Sequence, residues 1–259
     1  MREFHIWLHY SNNSFQQVLS QRATIIIFMT GKILRIALFL IFLNFVFGST
    51  RNLAGYSREQ IIFFYLSFNL IDTLAQLLFR EVYRFRPLVV SGGLDGILVK
   101  PINPLLRVLL GGADVLDFVM LILIIITTLW YGVTFLAPSL SQWMLYGLLI
   151  INGLAIAASF HIFVLGLGII TTSVDHLINI YRDLTSMLRI PADVYIEPIR
   201  FLITFILPLG IMITFPAKAL MGLLSPLLIV LSVILSLISI FVSLAFWHYS
   251  LRHYQSASS

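Results

Sequence analysis

The chain has 259 residues, of which 59% are hydrophobic and only 10% are charged. A soluble globular domain has about 25% charged residues, so the composition excludes that class and predicts an integral membrane protein. The net charge of +5 comes from basic residues scattered between apolar runs, a distribution that orients a chain in a bilayer and does not indicate nucleic-acid binding.

Residues 1–22 are too polar to cross a membrane, but their apolar side chains recur at helical steps. We expect one or two amphipathic helices at the membrane interface here, with a disordered tail as the alternative. The remaining chain, 23–259, is predicted to form one transmembrane domain. Its first span, 23–48, contains Lys32 and Arg35, which we interpret as snorkelling to the headgroups; the alternative is a charge that faces a substrate path.

The second predicted span, 60–79, contains Asn69 and Asp72 one helical turn apart. An unpaired carboxylate at that depth costs about 3 kcal/mol, so Asp72 should face protein or water. A hydrogen bond within the helix bundle explains such a residue. A proton relay is not indicated, because no second acid or histidine lies nearby in the sequence.

The polar loop, residues 80–107, interrupts the apolar runs and holds five of the sixteen basic residues. Its three prolines and its paired glycines do not suit one continuous helix. Between these breaks Leu94, Ile97 and Leu98 have helical spacing, which predicts a short surface helix with an apolar face. Such a helix suits docking into a groove of a soluble partner; the alternative is an ordinary connection whose charges mark the cytoplasmic side.

The third predicted span, 108–136, begins with Asp114 and Asp117 one turn apart. We favour ion pairs with the polar loop over acid–base or metal chemistry, because no histidine or third oxygen ligand stands at helical spacing. The fourth predicted span, 143–171, is rich in small residues that let helices approach closely. It contains His161, which we interpret as a residue of the helix bundle and not as a ligand.

The segment 173–198 has one apolar and one charged face, a pattern typical of a helix lying along an interface. The fifth predicted span, 199–215, is short and broken by a proline and a glycine. We favour a full crossing; the alternative is a re-entrant pair of half-helices, in which case 175–190 would supply the fifth crossing. The sixth predicted span is 227–249. With both termini in the cytosol, eleven basic residues lie inside and three outside, which supports this orientation.

The sequence contains no GxxxxGK[ST] phosphate loop, no HExxH, no GxSxG and no histidine-rich cluster. It also has no cysteine, and so no disulfide or thiolate metal site. We therefore expect no catalytic centre, no metal and no cofactor bound by this chain. The spans show no inverted repeat with matched helix breaks, which disfavours a secondary transporter.

Several short motifs resemble those of ABC-2 type export permeases. In chain order they are Gly93-Leu94-Asp95 with Leu98 and Lys100-Pro101-Ile102-Asn103-Pro104, Ile190-Pro191 with Tyr195, the stretches 202–208 and 215–222, and Trp247, Leu251-Arg252, Tyr254 and 256–258. One departure is Gly93, which stands where that family's pattern has an acidic residue.

The resemblance implies the membrane subunit of an ABC exporter, with about six spans, that dimerises with itself or with a related permease. It implies two cytosolic ATPase subunits, which would hold ATP and Mg, docked on a coupling helix in the polar loop. The coupling residues would be Leu94, Asp95, Ile97, Leu98, Lys100, Pro101 and Asn103. The candidate intramembrane polar sites are Lys32, Arg35, Asn69, Asp72 and His161.

We thus expect an all-α integral membrane protein of about six transmembrane helices, with an N-terminal interfacial helix and a cytosolic coupling helix. Its expected place is the bacterial inner (cell) membrane, with both termini cytosolic. The expected function is export of an amphipathic or hydrophobic cargo such as a drug-like molecule, a peptide or a lipid. The alternatives are a passive channel or secondary transporter, and a membrane scaffold that binds a soluble partner.

Overall fold

The computed structural model describes residues 22–112, 115–171 and 174–255, together with Trp7, Ser11, Asn12, Phe15 and Gln16. In these residues the chain is built of helices, and no β-strand is present among them. The all-α class is therefore confirmed. Most of the predicted interfacial segment 1–22, the carboxylate of Asp114 and the C-terminal motif 256–258 lie outside the described residues.

The first two spans are α1 (Arg22–Ser49) and α2 (Arg58–Phe79). At the start of α2, the Ser57 hydroxyl accepts the backbone N–H of Gln60, and the Gln60 side chain accepts the backbone N–H of Ser57. This capping box satisfies two backbone donors that have no partner inside the helix, and it fixes where the second span begins.

The helix of the second span extends beyond its predicted end. A 3-10 turn, Arg80–Arg84, leads from α2 into α3 (Phe85–Val90), so that one helical segment of 33 residues begins at Arg58. Pro87 does not interrupt it, because this residue lies in the first turn of α3, where its missing N–H leaves no hydrogen bond unmade. Beyond this helix the polar loop contains the single turn α4 (Asp95–Leu98) and the start of the next helix at Pro104.

The predicted third span is divided into two helices. α5 (Pro104–Leu110) lies before the break; α6 (Val115–Tyr131) follows it and ends in a π-helical turn, Gly132–Leu136. The break is at Gly111, whose φ is +44°. The positive φ ends the helix at this point. A Cβ at Gly111 would lie 2.3 Å from the Cβ of Glu81, so glycine is the residue that fits there.

The fourth span, α7 (Leu140–Thr171), is the central helix of the bundle. Its small residues permit the close helix approach that the sequence predicted. At Gly153 an added Cβ would lie 2.5 Å from the carbonyl oxygen of Met212, so the two backbones are in direct contact there.

The helix after α7 is amphipathic, as predicted. In α8 (Val174–Met187), Ile178 and Tyr181 are buried, whereas Arg182 and Asp183 are exposed on the opposite face. The contacts of this helix do not agree with the predicted position along a membrane interface.

α8 and the residues that follow it run the length of the bundle. At one end, an Arg86 guanidinium nitrogen lies 3.3 Å from an Asp175 carboxylate oxygen. At the other, the Tyr56 hydroxyl donates to the Asp193 carboxylate at 2.9 Å. Because Tyr56 precedes α2 and Arg86 follows it, the segment 175–193 extends from one end of the second span to the other.

The predicted fifth span is bent sharply. It consists of α9 (Ile199–Phe201) with a π-helical turn, Leu202–Ile206, and of α10 (Leu209–Leu220), and the two halves meet at an angle of 89°. Pro208 stands at the bend, where its ring and missing N–H prevent a straight continuation of the helix.

Both ends of this bent pair lie at the same end of the bundle. Arg200 is near enough to Tyr56 to act electrostatically on its hydroxyl, and Lys218 donates to Asp193 at 2.8 Å. This geometry is that of the re-entrant alternative to a full crossing at 199–215. In that alternative the fifth crossing is the segment that contains α8.

The last helix, α11 (Pro226–Arg252), packs along α7, where an added Cβ at Gly166 would lie 2.8 Å from the ring of Phe246. Within the described ranges, five helices are long and apolar enough to cross a membrane, or six if the bent pair is counted as one span. α1 and α11 expose many large apolar side chains, which suits helices that face lipid.

Candidate functional site

The tip segment, residues 91–103, is the part of the polar loop that projects from the helices. Leu94 is fully buried and Ile97 is 8% exposed, whereas Val99 is 83% exposed and Lys100 is also exposed. The apolar face predicted for docking therefore packs against the chain itself, because Leu94 and Ile97 are needed to hold the single turn of α4 on the bundle. The exposed surface of the tip segment is the opposite one, around Val99 and Lys100.

The remaining predicted coupling residues have separate local roles. Asn103 caps α5, because its side-chain oxygen accepts the backbone N–H of Leu106 at 3.2 Å. Asp95 is the first residue of α4 and is half-buried, Leu98 is also half-buried, and Pro101 is exposed. No ion pair involves Lys100 among the residues that the structure describes. The tip thus presents the apolar side chains of Val99 and Pro101 and the cationic side chain of Lys100 to solvent.

The base of the polar loop is held by ion pairs around Glu81. Its carboxylate contacts Arg107 at 3.3 Å and Arg84 at 3.6 Å, so α5 is tied to the end of the second span. The nearby Arg86–Asp175 contact ties the same region to α8. These contacts fix the loop to the end of the second span and to α8, so it is not a flexible linker.

A buried carboxylate joins α1, α6 and the end of the second span. The Asp117 side chain is 0% exposed and pairs with Lys32 through one oxygen and with Arg80, at 3.1 Å, through the other. The snorkelling interpretation of Lys32 is corrected, because its ammonium group points to Asp117. The expected pairing of Asp117 with the polar loop is present, and Arg80 is the partner.

A cavity of about 490 Å³ opens between α1, α2 and α8. Asp72, at its wall, accepts a hydrogen bond from Gln76 at 2.8 Å and lies 3.8 Å from Arg35. The cavity wall also contains Arg182 and Arg189. Arg35 therefore faces a polar cavity, which agrees with the alternative that a charge in the first span faces an internal path.

Two other candidate polar sites are satisfied within the bundle. The amide of Asn69 donates to the Tyr65 carbonyl of its own helix at 2.7 Å. One ring nitrogen of His161 contacts the Ala157 carbonyl at 2.8 Å, and the ring packs against Phe79. Neither side chain reaches the cavity.

A polar cluster closes the opposite end of the bundle from the tip segment. The Asp193 carboxylate accepts from the Tyr56 hydroxyl and from the Lys218 ammonium group. Burial, together with the adjacent Asp193 carboxylate, raises the pKa of the Tyr56 hydroxyl above its ordinary value. The cluster joins the loop between the first two spans to the re-entrant pair.

Sequence reasoning missed Glu81, Arg182, Arg189 and this cluster as parts of a site. The charged face of α8 was visible in the sequence, but its place on a cavity depended on recognising 175–190 as a crossing. Within the described ranges, no group of three histidine or acidic side chains is placed to hold a metal ion.

These features define a polytopic α-helical membrane protein with a rigidly attached polar loop at one end and a charged cavity between its spans. A family model described as ABC-2 family transporter protein matches residues 33–258, and the chain belongs to this family. No curated protein and no solved structure matches the chain. Membership confirms the resemblance, and it identifies an ABC-type permease that works in a lipid bilayer with an associated ABC ATPase.

Proposed function

We propose that the chain is the membrane subunit of an ATP-driven exporter, and that the tip segment is where the ATPase docks. The observation that carries this proposal is the contrast within the tip, where Leu94 and Ile97 are anchored in the bundle and Val99 and Lys100 project from it. An anchored turn with an exposed outer surface suits the transmission of force better than a free loop does.

The ion pairs give a route from the tip to the spans. Movement of α5 reaches the second span through the Arg107–Glu81 contact. From there, Arg80 and Asp117 connect the second span to α6 and, through Lys32, to α1. Closure of the ATPases on ATP and Mg, which those subunits would hold, would tilt these helices as a unit.

The proposed orientation places the tip segment and both termini in the cytosol of a bacterial cell. With the re-entrant topology, eight basic residues lie inside (Arg2, Arg22, Arg80, Arg84, Arg86, Lys100, Arg107 and Arg252) and four outside (Arg51, Arg58, Arg200 and Lys218). The other four, Lys32, Arg35, Arg182 and Arg189, lie within the crossings. The excess of basic residues on the cytosolic side supports this orientation.

The exposed charged face between α1, α2 and α8 supports a dimer, since charged side chains at this depth should contact protein or water and not lipid. A second permease, identical or related, would enclose the cavity, and the cargo would pass between the two subunits. An amphipathic molecule such as a drug-like compound, a peptide or a lipid suits a path with polar and apolar walls.

The test is co-purification with a candidate ATPase subunit, followed by ATP-dependent flux in liposomes. We compare wild type with V99D/K100E, and with L223D/R51E as the matched control, since Leu223 and Arg51 are exposed at the opposite end. We expect V99D/K100E to insert normally but to lose the ATPase and the flux, and the control to keep both. Flux without an ATPase would indicate a channel, and ATPase binding without ATP-dependent flux would indicate a scaffold; either result contradicts the proposal.

A further inference from the structure

The cavity between α1, α2 and α8 carries more positive than negative charge. Its wall contains three arginines, Arg35, Arg182 and Arg189, and two aspartates, Asp72 and Asp183. Its volume of about 490 Å³ is in the range of small-molecule sites, about 300 to 1,000 Å³. The cavity is therefore large enough for a ligand and has a net positive wall.

The charges are not all neutralised by one another. Asp72 has its own partners in Gln76 and Arg35. Within the residues that the structure describes, Arg182 and Arg189 form no ion pair, and Asp183 lies beyond ion-pair distance of both. Two guanidinium groups therefore remain available on one wall of the cavity.

Arg182 lies about midway between Asp175 and Asp193, the residues that mark the two ends of this segment. Asp72, on the facing wall, is about 21 Å along the helix from Arg58 and about 21 Å from Arg86, at 1.5 Å per residue. Arginines placed near the middle of a membrane protein are unfavourable in lipid and mark polar paths or ligand sites. The depth argues against Arg182 being a simple headgroup anchor, and Arg189 lines the same cavity four residues before Asp193.

The arrangement indicates the chemistry of the ligand. Guanidinium groups bind phosphate and carboxylate with paired N–H donors, and these charge-assisted hydrogen bonds are the strong ones. The Asn179 amide adds a neutral polar group to the same wall, and Phe68 contributes an apolar surface beside it. A molecule with an acidic group and an apolar portion would satisfy both kinds of wall.

We propose that this cavity binds the phosphate or carboxylate group of the transported molecule, with Arg182 and Arg189 as the cations that contact it. The inference rests on the proposed transport function, and it narrows the cargo from amphipathic molecules in general to anionic ones. Asp72 is paired with Arg35, so the cations that remain available to an acidic group lie on the side of α8.

The experiment measures binding to the full chain in phosphatidylcholine nanodiscs, with empty nanodiscs as background. The probes are dodecyl phosphate, dodecyltrimethylammonium and inorganic phosphate. We expect dodecyl phosphate to bind at least about tenfold more tightly than dodecyltrimethylammonium, because charge-assisted hydrogen bonds form only with the anion. Inorganic phosphate binding as tightly as dodecyl phosphate would identify a free anion as the ligand, and weaker binding would identify an amphiphile; both results support an acidic ligand.

The variant R182Q/R189Q should weaken dodecyl phosphate binding by about tenfold or more. The control R51Q/R58Q removes two exposed arginines outside the cavity and should bind as wild type does. The variant R182K/R189K keeps the charge and should bind more tightly than R182Q/R189Q. Thermal unfolding of each variant shows whether it is folded.

The inference is overturned if wild type binds dodecyltrimethylammonium as tightly as dodecyl phosphate, or if a folded R182Q/R189Q variant keeps wild-type binding. Should R182Q/R189Q not fold, the comparison of the two dodecyl probes on wild type decides. The assay contains no ATPase, so its failure leaves ATPase docking untouched, and a failure of ATPase docking leaves anion binding intact.

Discussion

Replacing Asp117 by Asn tests whether the buried carboxylate connects three helices. Asp117 is 0% exposed, and its partners Lys32 and Arg80 have side chains that are 23% and 39% exposed. The substitution removes the carboxylate that Lys32 and Arg80 share. Breaking a buried ion pair costs about 3 to 5 kcal/mol, and we expect the lower end, about 3 kcal/mol, because Arg80 can recover part of its hydration.

The assay is thermal unfolding of the purified protein, followed by the fluorescence of its four tryptophans. For a protein of this size, about 3 kcal/mol lowers Tm by about 6 to 12 °C. The matched control is Arg84→Gln, which removes an exposed pair with Glu81 and should change stability by less than about 1 kcal/mol. The double variant Lys32→Met with Asp117→Leu should recover most of the loss, because it replaces the pair by apolar groups.

A Tm for Asp117→Asn equal to that of the Arg84→Gln control would refute the reasoning. Lys32 would then be held at the headgroups, as its sequence position alone suggests, and Asp117 would contribute nothing as a connection between α1, α6 and the second span.

Three further predictions concern the helix break at Gly111, the topology of the bent pair, and the polar cluster around Asp193. Gly111→Ala should lower Tm or abolish folding, because a Cβ there meets Glu81 at 2.3 Å, whereas Gly31→Ala meets nothing within 4 Å and should leave Tm unchanged or raise it slightly. Ile196→Cys, 75% exposed, should react with a membrane-impermeant maleimide from outside intact cells; reaction only after permeabilisation would restore the full crossing at 199–215. In the folded state the pKa of the Tyr56 hydroxyl is raised above its ordinary value. The contribution of the protonated hydroxyl to folding stability is therefore fully present below about pH 10, and it is lost as the pH rises further. Wild type should therefore lose stability more steeply above about pH 10 than Tyr56→Phe does, and equal pH profiles in thermal unfolding would contradict a protonated Tyr56–Asp193 contact.

The helices with uniform apolar runs were the most predictable part of the chain. Spans such as α2 and α7 were expected from length and hydropathy, since a long apolar run in a membrane protein has no alternative to a helix. The amphipathic pattern of α8 was equally visible. Its charges, however, made an interfacial helix the simpler interpretation, and only the contacts of Asp175 and Asp193 show that it crosses the bundle.

The direction of the tip segment could not be read from spacing. Leu94, Ile97 and Leu98 share one face of a helix whether that face meets a partner or the chain itself. In the structure the face is inward, and Val99 is left outside. The need for glycine at position 111 was similarly hidden, because it depends on the Glu81 side chain, which is distant in sequence and adjacent in space.

Docking of an ATPase on the tip segment can be tested directly by single-cysteine crosslinking, because the chain has no cysteine of its own. Val99→Cys and Leu223→Cys are expressed separately with the candidate ATPase, and both are treated with a short thiol-to-amine crosslinker in membranes. We predict that Val99→Cys forms an adduct with the ATPase subunit and that Leu223→Cys does not. Equal crosslinking at both positions, or an ATPase that binds the permease without any adduct at Val99→Cys, would show that the tip segment is not the docking site.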